Sequence, residues 1–148
     1  MTLARLKYPL IAISAILFLI SLSQPAFDYE DIDGIKTHSA ISLLLMGGIS
    51  FLGGALFEWI IWLANPFYII GLVLFIKNNS KAQYFVVFSA VLSLSFSAWH
   101  EILAAENGRT APITGLHAGY YLWVIGQVIL VIDVFFCRKS FGKQPYTK

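Results

Sequence analysis

Glu58, His100, Glu101 and His117 stand in or beside stretches that are otherwise almost wholly apolar. Charge inside hydrocarbon is costly, so such residues usually face a bundle interior or a watery cavity and are functional candidates by default. Two imidazoles and two carboxylates form a workable ligand set for zinc or another divalent transition metal. The same groups would serve as a Glu–His proton relay, because histidine titrates near neutral pH. Asn65 adds a fifth polar group. The spacing matches no H-E-x-x-H signature, and His100 and Glu101, adjacent on a helix, point in different directions. Two plainer readings stand beside these. The groups belong to the headgroup region, with Trp59, Trp62 and Trp99 as an aromatic belt, or they form a hydrogen-bond network that holds the helices together. No cofactor is expected beyond a divalent metal at this cluster, and the residues do not specify which metal.

The elements that would position these groups are read from composition first. The chain has 148 residues, 58% hydrophobic and 12% charged. Soluble domains carry about 25% charged residues, and the apolar residues here fall in runs, as in membrane spans. The net charge of +2 sits near the segment ends, which suits a topology signal and argues against nucleic acid as a partner. Cys137 is the only cysteine, so neither an intrachain disulfide nor a cysteine metal cluster is available.

The spacing predicts an all-α integral membrane bundle of five transmembrane helices, with residues 1–148 forming one domain. Tyr8 to Ser23 is the first apolar segment, retained as a helix because Ser23-Gln24-Pro25-Ala26-Phe27 is a poor cleavage site. Asp28 to Ser39 reads as a solvated acidic connector. Asp31-Ile32-Asp33-Gly34 invites a calcium reading but lacks the downstream glutamate of an EF-hand. The run from Ala40 to Ile76 is too long for one comfortable crossing, since a span needs about 20 residues. Asn65-Pro66 is the expected break, giving helices over 40–63 and 66–77. Further helices are expected over 82–104 and 115–137.

Five crossings would put seven Lys/Arg on one side and three on the other, with the C-terminus cytoplasmic and the N-terminus outside. The basic flank of the first helix disagrees. The alternative is four crossings, with part of 40–77 broken or re-entrant around Gly47-Gly48 or Gly53-Gly54 and both termini cytoplasmic.

Three stripes suit helix packing. Gly47, Ser50, Gly54 and Glu58 share one face, Ser89, Ser93 and Ser97 a second, and Gly115, Gly119 and Gly126 a third. In the five-crossing arrangement Glu58, Asn65, His100, Glu101 and His117 gather at one mouth of the bundle. The chain lacks a phosphate-binding glycine loop, a G-x-S-x-G elbow and a lipidation signal. The function expected is therefore that of a non-enzymatic accessory subunit of an envelope complex, or an immunity-type protein against a membrane-inserted toxin. The partners are the lipid bilayer and another membrane protein or a second copy, in a bacterial inner membrane. The alternative is a small ion, proton or metal transporter using the Glu/His cluster.

Overall fold

The first and last helices run antiparallel, and each continues into a β-strand beside the other's. The computed structural model describes residues 7–141, with side chains for 8–137. The basic residues Arg5, Lys143 and Lys148, and the side chains of Lys7, Arg138 and Lys139, lie outside that description. Helix α1 (Lys7–Leu22) leads into β1 (Pro25–Asp31) and β2 (Gly34–Ser39). Then follow α2 (Ala40–Gly47), a 3-10 turn at Ser50–Gly53, α3 (Leu56–Trp62) and α4 (Ala64–Ile76). Helix α5 (Ala82–Ser95) ends in a 3-10 turn, and β3 (Glu101–Leu103) and β4 (Thr110–Leu116) precede α6 (Ala118–Phe141). The strands form one antiparallel sheet in the order β2-β1-β4-β3.

This corrects the all-α expectation. A sheet caps one end of the helices. Among the described residues only Leu56–Ile76 and Ala118–Cys137 are both long and apolar enough to cross a membrane, each with mean hydropathy 2.0. Tyr8–Leu22 and Ala82–Ala98 are shorter apolar helices. Five helices of spanning length are not found among the described residues, and the division of basic residues into seven and three loses its basis.

The boundaries moved for identifiable reasons. Asn65-Pro66 does not break the chain. Proline has no N–H to donate to the carbonyl four residues back, here Trp62. Asn65 Nδ2 donates to Trp62 O at 3.0 Å in its place, and Leu63 keeps helical angles, so α3 and α4 run on as one rod. The break falls instead among the glycines. Gly54 takes φ +88 at the end of the 3-10 turn, a conformation that favours glycine. Helix α2 folds back so that the Trp62 indole lies on Gly47 and donates Nε1 to Leu44 O at 2.8 Å. The acidic connector is a hairpin with a two-residue loop, Ile32-Asp33, followed by Gly34 at positive φ. Residues 101–103, expected in a helix, lie beyond the 3-10 turn and pair with β4. Gly115 lies in β4, not on the last helix.

The helices set polar residues into an apolar interior and turn further apolar residues outward. Ser14, Ser21, Asn65, Gln83, Ser89, Ser93, Gln127 and Asp133 are buried, while Ile16, Leu19, Ile70, Val91, Ile125 and Phe136 are exposed. Small residues let the helices approach. Ser14 Oγ donates to Gly126 O at 2.6 Å and meets the Tyr68 hydroxyl at 2.7 Å, joining α1, α4 and α6. Ser89 Oγ donates to Ala64 O at 2.7 Å. With its amide turned to satisfy its neighbours, Gln127 donates to Ser89 Oγ and accepts from Trp123 Nε1 at 2.9 Å. Trp123 Nε1 also reaches Asn65 Oδ1 at 2.9 Å.

Gly119 fits only without a side chain, because a Cβ there would lie 2.6 Å from Pro25 O. A Cβ on Gly115 would meet nothing within 4 Å. Gly119→Val should therefore cost about 1–3 kcal/mol, as overpacking does, while Gly115→Ala stays within about 0.5 kcal/mol of the parent. Thermal unfolding in detergent, followed by circular dichroism, measures both. Equal losses would restore a shared helical face for the two glycines.

Candidate functional site: a cavity under the sheet cap

The residues singled out by type are held by five separate sets of contacts. Glu58, in the first turn of α3, accepts the Leu103 N–H at Oε1, 2.7 Å away, and so ties α3 to strand β3. Glu101 is exposed on β3 and accepts from Thr110 Oγ1 at 2.8 Å. His100 is exposed, and its backbone oxygen accepts from Ile113 N at 2.8 Å. His117 Nε2 lies 2.8 Å from Asp28 Oδ2, across the junction of β1 with α6. Asn65 is committed to Trp62 and Trp123. Among the described residues no three His, Cys, Asp or Glu side chains gather in a way that could hold a metal ion.

The packing stripes divide in the same way. Gly47 lies against Trp62, and Ser50 Oγ donates back to Gly47 O at 2.8 Å. Ser89 and Ser93 are fully buried, and Ser93 O accepts the Tyr120 hydroxyl at 3.0 Å. Ser97 is exposed and bonds back to Leu94 O. Gly119 and Gly126 are close-approach points against Pro25 O and Ser14 O. Asp133 is buried, with Cys137 Sγ 3.4 Å from its Oδ1.

Acidic residues of the hairpin hold the cap together. Asp31 takes Lys36 Nζ at 2.5 Å on one oxygen and Arg109 at 2.6 Å on the other, linking the β1–β2 hairpin to the β3–β4 loop. The Lys36 hydrogen bond, the Ile32 N–H and Arg109 together hold the Asp31 carboxyl well below the usual carboxylate range. Asp28 is also lowered, first by the Thr37 hydroxyl at 2.6 Å and then by His117.

Between this cap and the helices lies a partly open cavity of about 430 Å³. Strands β1 and β2 contribute Ala26, Phe27 and His38 to its wall. Leu43, Leu44 and Met46 of α2 line it on a second side, and Trp62, Tyr120 and Trp123 on a third. The lining is overwhelmingly apolar, as in small-molecule sites of about 300–1,000 Å³. Glu58 and Asn65 are the two expected site residues it contains.

His38 was missed by sequence reasoning. Its ring stacks on Tyr29 at 4.8 Å and meets Phe27 edge-on at 5.2 Å. Burial pushes its pKa below the ordinary imidazole value, which favours the neutral ring. The available signal was the Asp33-Gly34 dipeptide, a hairpin turn signature that places a strand after it. That strand turns one face towards the helices, and His38 lies on it.

Two expectations follow. Glu58→Ala leaves the Leu103 N–H without its acceptor and should cost about 1–3 kcal/mol, with Glu58→Gln milder because an acceptor remains. Denaturant unfolding of the two variants compares them directly. Asp28 and Asp31 have lowered pKa values in the folded state, so their contribution is fully present above the ordinary value of 3.8 and is lost as pH falls below it. Acid should loosen the hairpin before the helices, seen as falling amide protection factors in β1 and β2, and Asp31→Asn should produce the same loosening at neutral pH. Hairpin protection unchanged by that substitution would contradict the role given to Asp31. No protein-family model, curated protein or solved structure matches this chain.

Proposed function

We propose that this chain is a small integral membrane protein that acts by binding, as a non-enzymatic accessory subunit of an envelope complex or an immunity-type protein. The observation that carries this reading is the surface between residues 45 and 57. Leu45, Met46, Ile49, Phe51, Leu52, Leu56 and Phe57 are all exposed there, on backbone interrupted by a 3-10 turn and by Gly54. An apolar patch of this kind is poorly suited to water. Irregular backbone is equally poorly suited to the hydrocarbon of a bilayer. A covering membrane protein, or a second copy of the chain, satisfies both constraints.

The charge distribution supports an orientation. Lys77 and Lys81 lie in the turn between α4 and α5, while Arg5, Lys7, Arg138, Lys139, Lys143 and Lys148 flank the outer ends of α1 and α6 in sequence. Only Lys36 and Arg109 lie on the sheet, and both pair with Asp31. The positive-inside rule then favours a cytoplasmic C-terminus with the sheet facing away from the cytoplasm. The ion-handling alternative draws less support, since Glu58, Glu101 and His117 each engage a different partner.

A photo-crosslinking residue at Leu45 or Phe57 in intact cells tests the reading. A discrete protein adduct, to another chain or to a second copy, is the expected result. Adducts with lipid alone would contradict it. Vesicles holding the purified protein should also retain a proton or zinc gradient. Collapse of the gradient that Glu58→Gln abolishes would favour the transporter instead.

A further inference from the structure

The cavity beneath the cap borders the apolar surface proposed to bind protein and shares Met46 with it, and its polar groups point to a small ligand. Most polar atoms in its wall are already used. The Trp62 indole donates to Leu44 O, the Tyr120 hydroxyl donates to Ser93 O, and Asn65 and Trp123 bond each other. Two groups differ. Among the described residues no hydrogen bond reaches the His38 imidazole, whose contacts are the rings of Phe27 and Tyr29. Glu58 lines the cavity and uses Oε1 for Leu103, and among the described residues no hydrogen bond reaches its Oε2.

The charges of the wall restrict what fits. Among the described residues no Lys or Arg lines the cavity, and Glu58 is the only carboxylate in its wall. An anionic head would therefore meet a like charge with no cation to offset it, which is strongly unfavourable away from water. A carboxylate that only accepts calls for a ligand that donates. A neutral imidazole both donates and accepts. The remaining wall is aliphatic and aromatic, suited to a hydrocarbon chain.

We propose that this cavity binds a single-chain amphiphile whose uncharged head carries hydroxyl groups, its chain lying against the Trp62 and Trp123 walls and its head at Glu58 and His38. The site goes beyond the protein-binding reading and stands or falls separately from it.

The test uses the two tryptophans that line the cavity. Trp59 and Trp99 are absent from its wall, so a W59F/W99F background leaves Trp62 and Trp123 as reporters. The purified full chain in neutral detergent is titrated with a monoacylglycerol brominated on its chain, which quenches tryptophan on contact. Saturable quenching is expected, reversed by unlabelled monooleoylglycerol. Ionised oleate, in alkaline buffer, should compete at least about tenfold more weakly. Glu58→Gln should remove most of that difference without abolishing binding, because the amide still accepts and no longer repels. Ala55→Phe, which adds bulk at the wall, should weaken quenching, and circular dichroism checks that this variant is folded. Quenching that rises without saturation would be mere partition into the micelle and would overturn the proposal. So would oleate competing as well as monooleoylglycerol in the parent protein. Either outcome leaves the crosslinking result at Leu45 untouched.

Discussion

The approach of α1 to α6 is the contact on which the rest of the molecule depends. Gly126 brings the two helices close enough for Ser14 to hydrogen-bond its carbonyl, and Gly119 lets the start of α6 pass against Pro25 O. These two glycines align the helices so that the strands continuing from them, β1 and β4, meet in register, with Phe27 opposite Leu116. The sheet is thus an extension of the helix pair. The His117 N–H bonded to Ala26 O, and the His117–Asp28 pair, secure the change from helix to strand. The cavity exists because the cap is held at this height above α3 and α6.

Polar side chains replace missing or exposed backbone partners inside the helices. Asn65 supplies the donor that Pro66 lacks, and Ser89 and Ser14 bond to the backbone of neighbouring helices. Such substitutions are what tolerate proline in a helix surrounded by hydrocarbon. They also bring serine, asparagine and glutamine into the interior beside Phe18, Phe75 and Leu130, while many other isoleucines, leucines and phenylalanines face outward. Apolar residues on both the buried and the outward sides explain why the helices carry so little periodic signal.

The chain's apolar runs were legible; of two expected packing stripes, Ser89, Ser93, Gly119 and Gly126 are closely packed, while Ser97 is exposed and Gly115 lies in β4. The sheet was not, because its strands carry charge and sit between long hydrophobic segments that dominate any window. Asp33-Gly34 was a hairpin signal overshadowed by the acidic residues around it. Asn65-Pro66 misled because a cap and a proline are a stop signal only when nothing replaces the lost hydrogen bond. Of the candidate site, Glu58 and Asn65 do border the cavity, whereas His100, Glu101 and His117 serve the sheet. That division depends on strand pairing between segments far apart in sequence, which spacing along the chain does not encode.

The central claim is that the outward helix faces meet lipid while the polar seam is sealed within. A diazirine carried on lipid acyl chains, activated in vesicles holding the protein and mapped by mass spectrometry, tests it most directly. Labels should fall on Ile16, Ile70, Val91 and Ile132, all exposed, and should spare buried Ser14, Ser89 and Gln127. Labelling of the seam, or helices that take no label at all, would contradict the account.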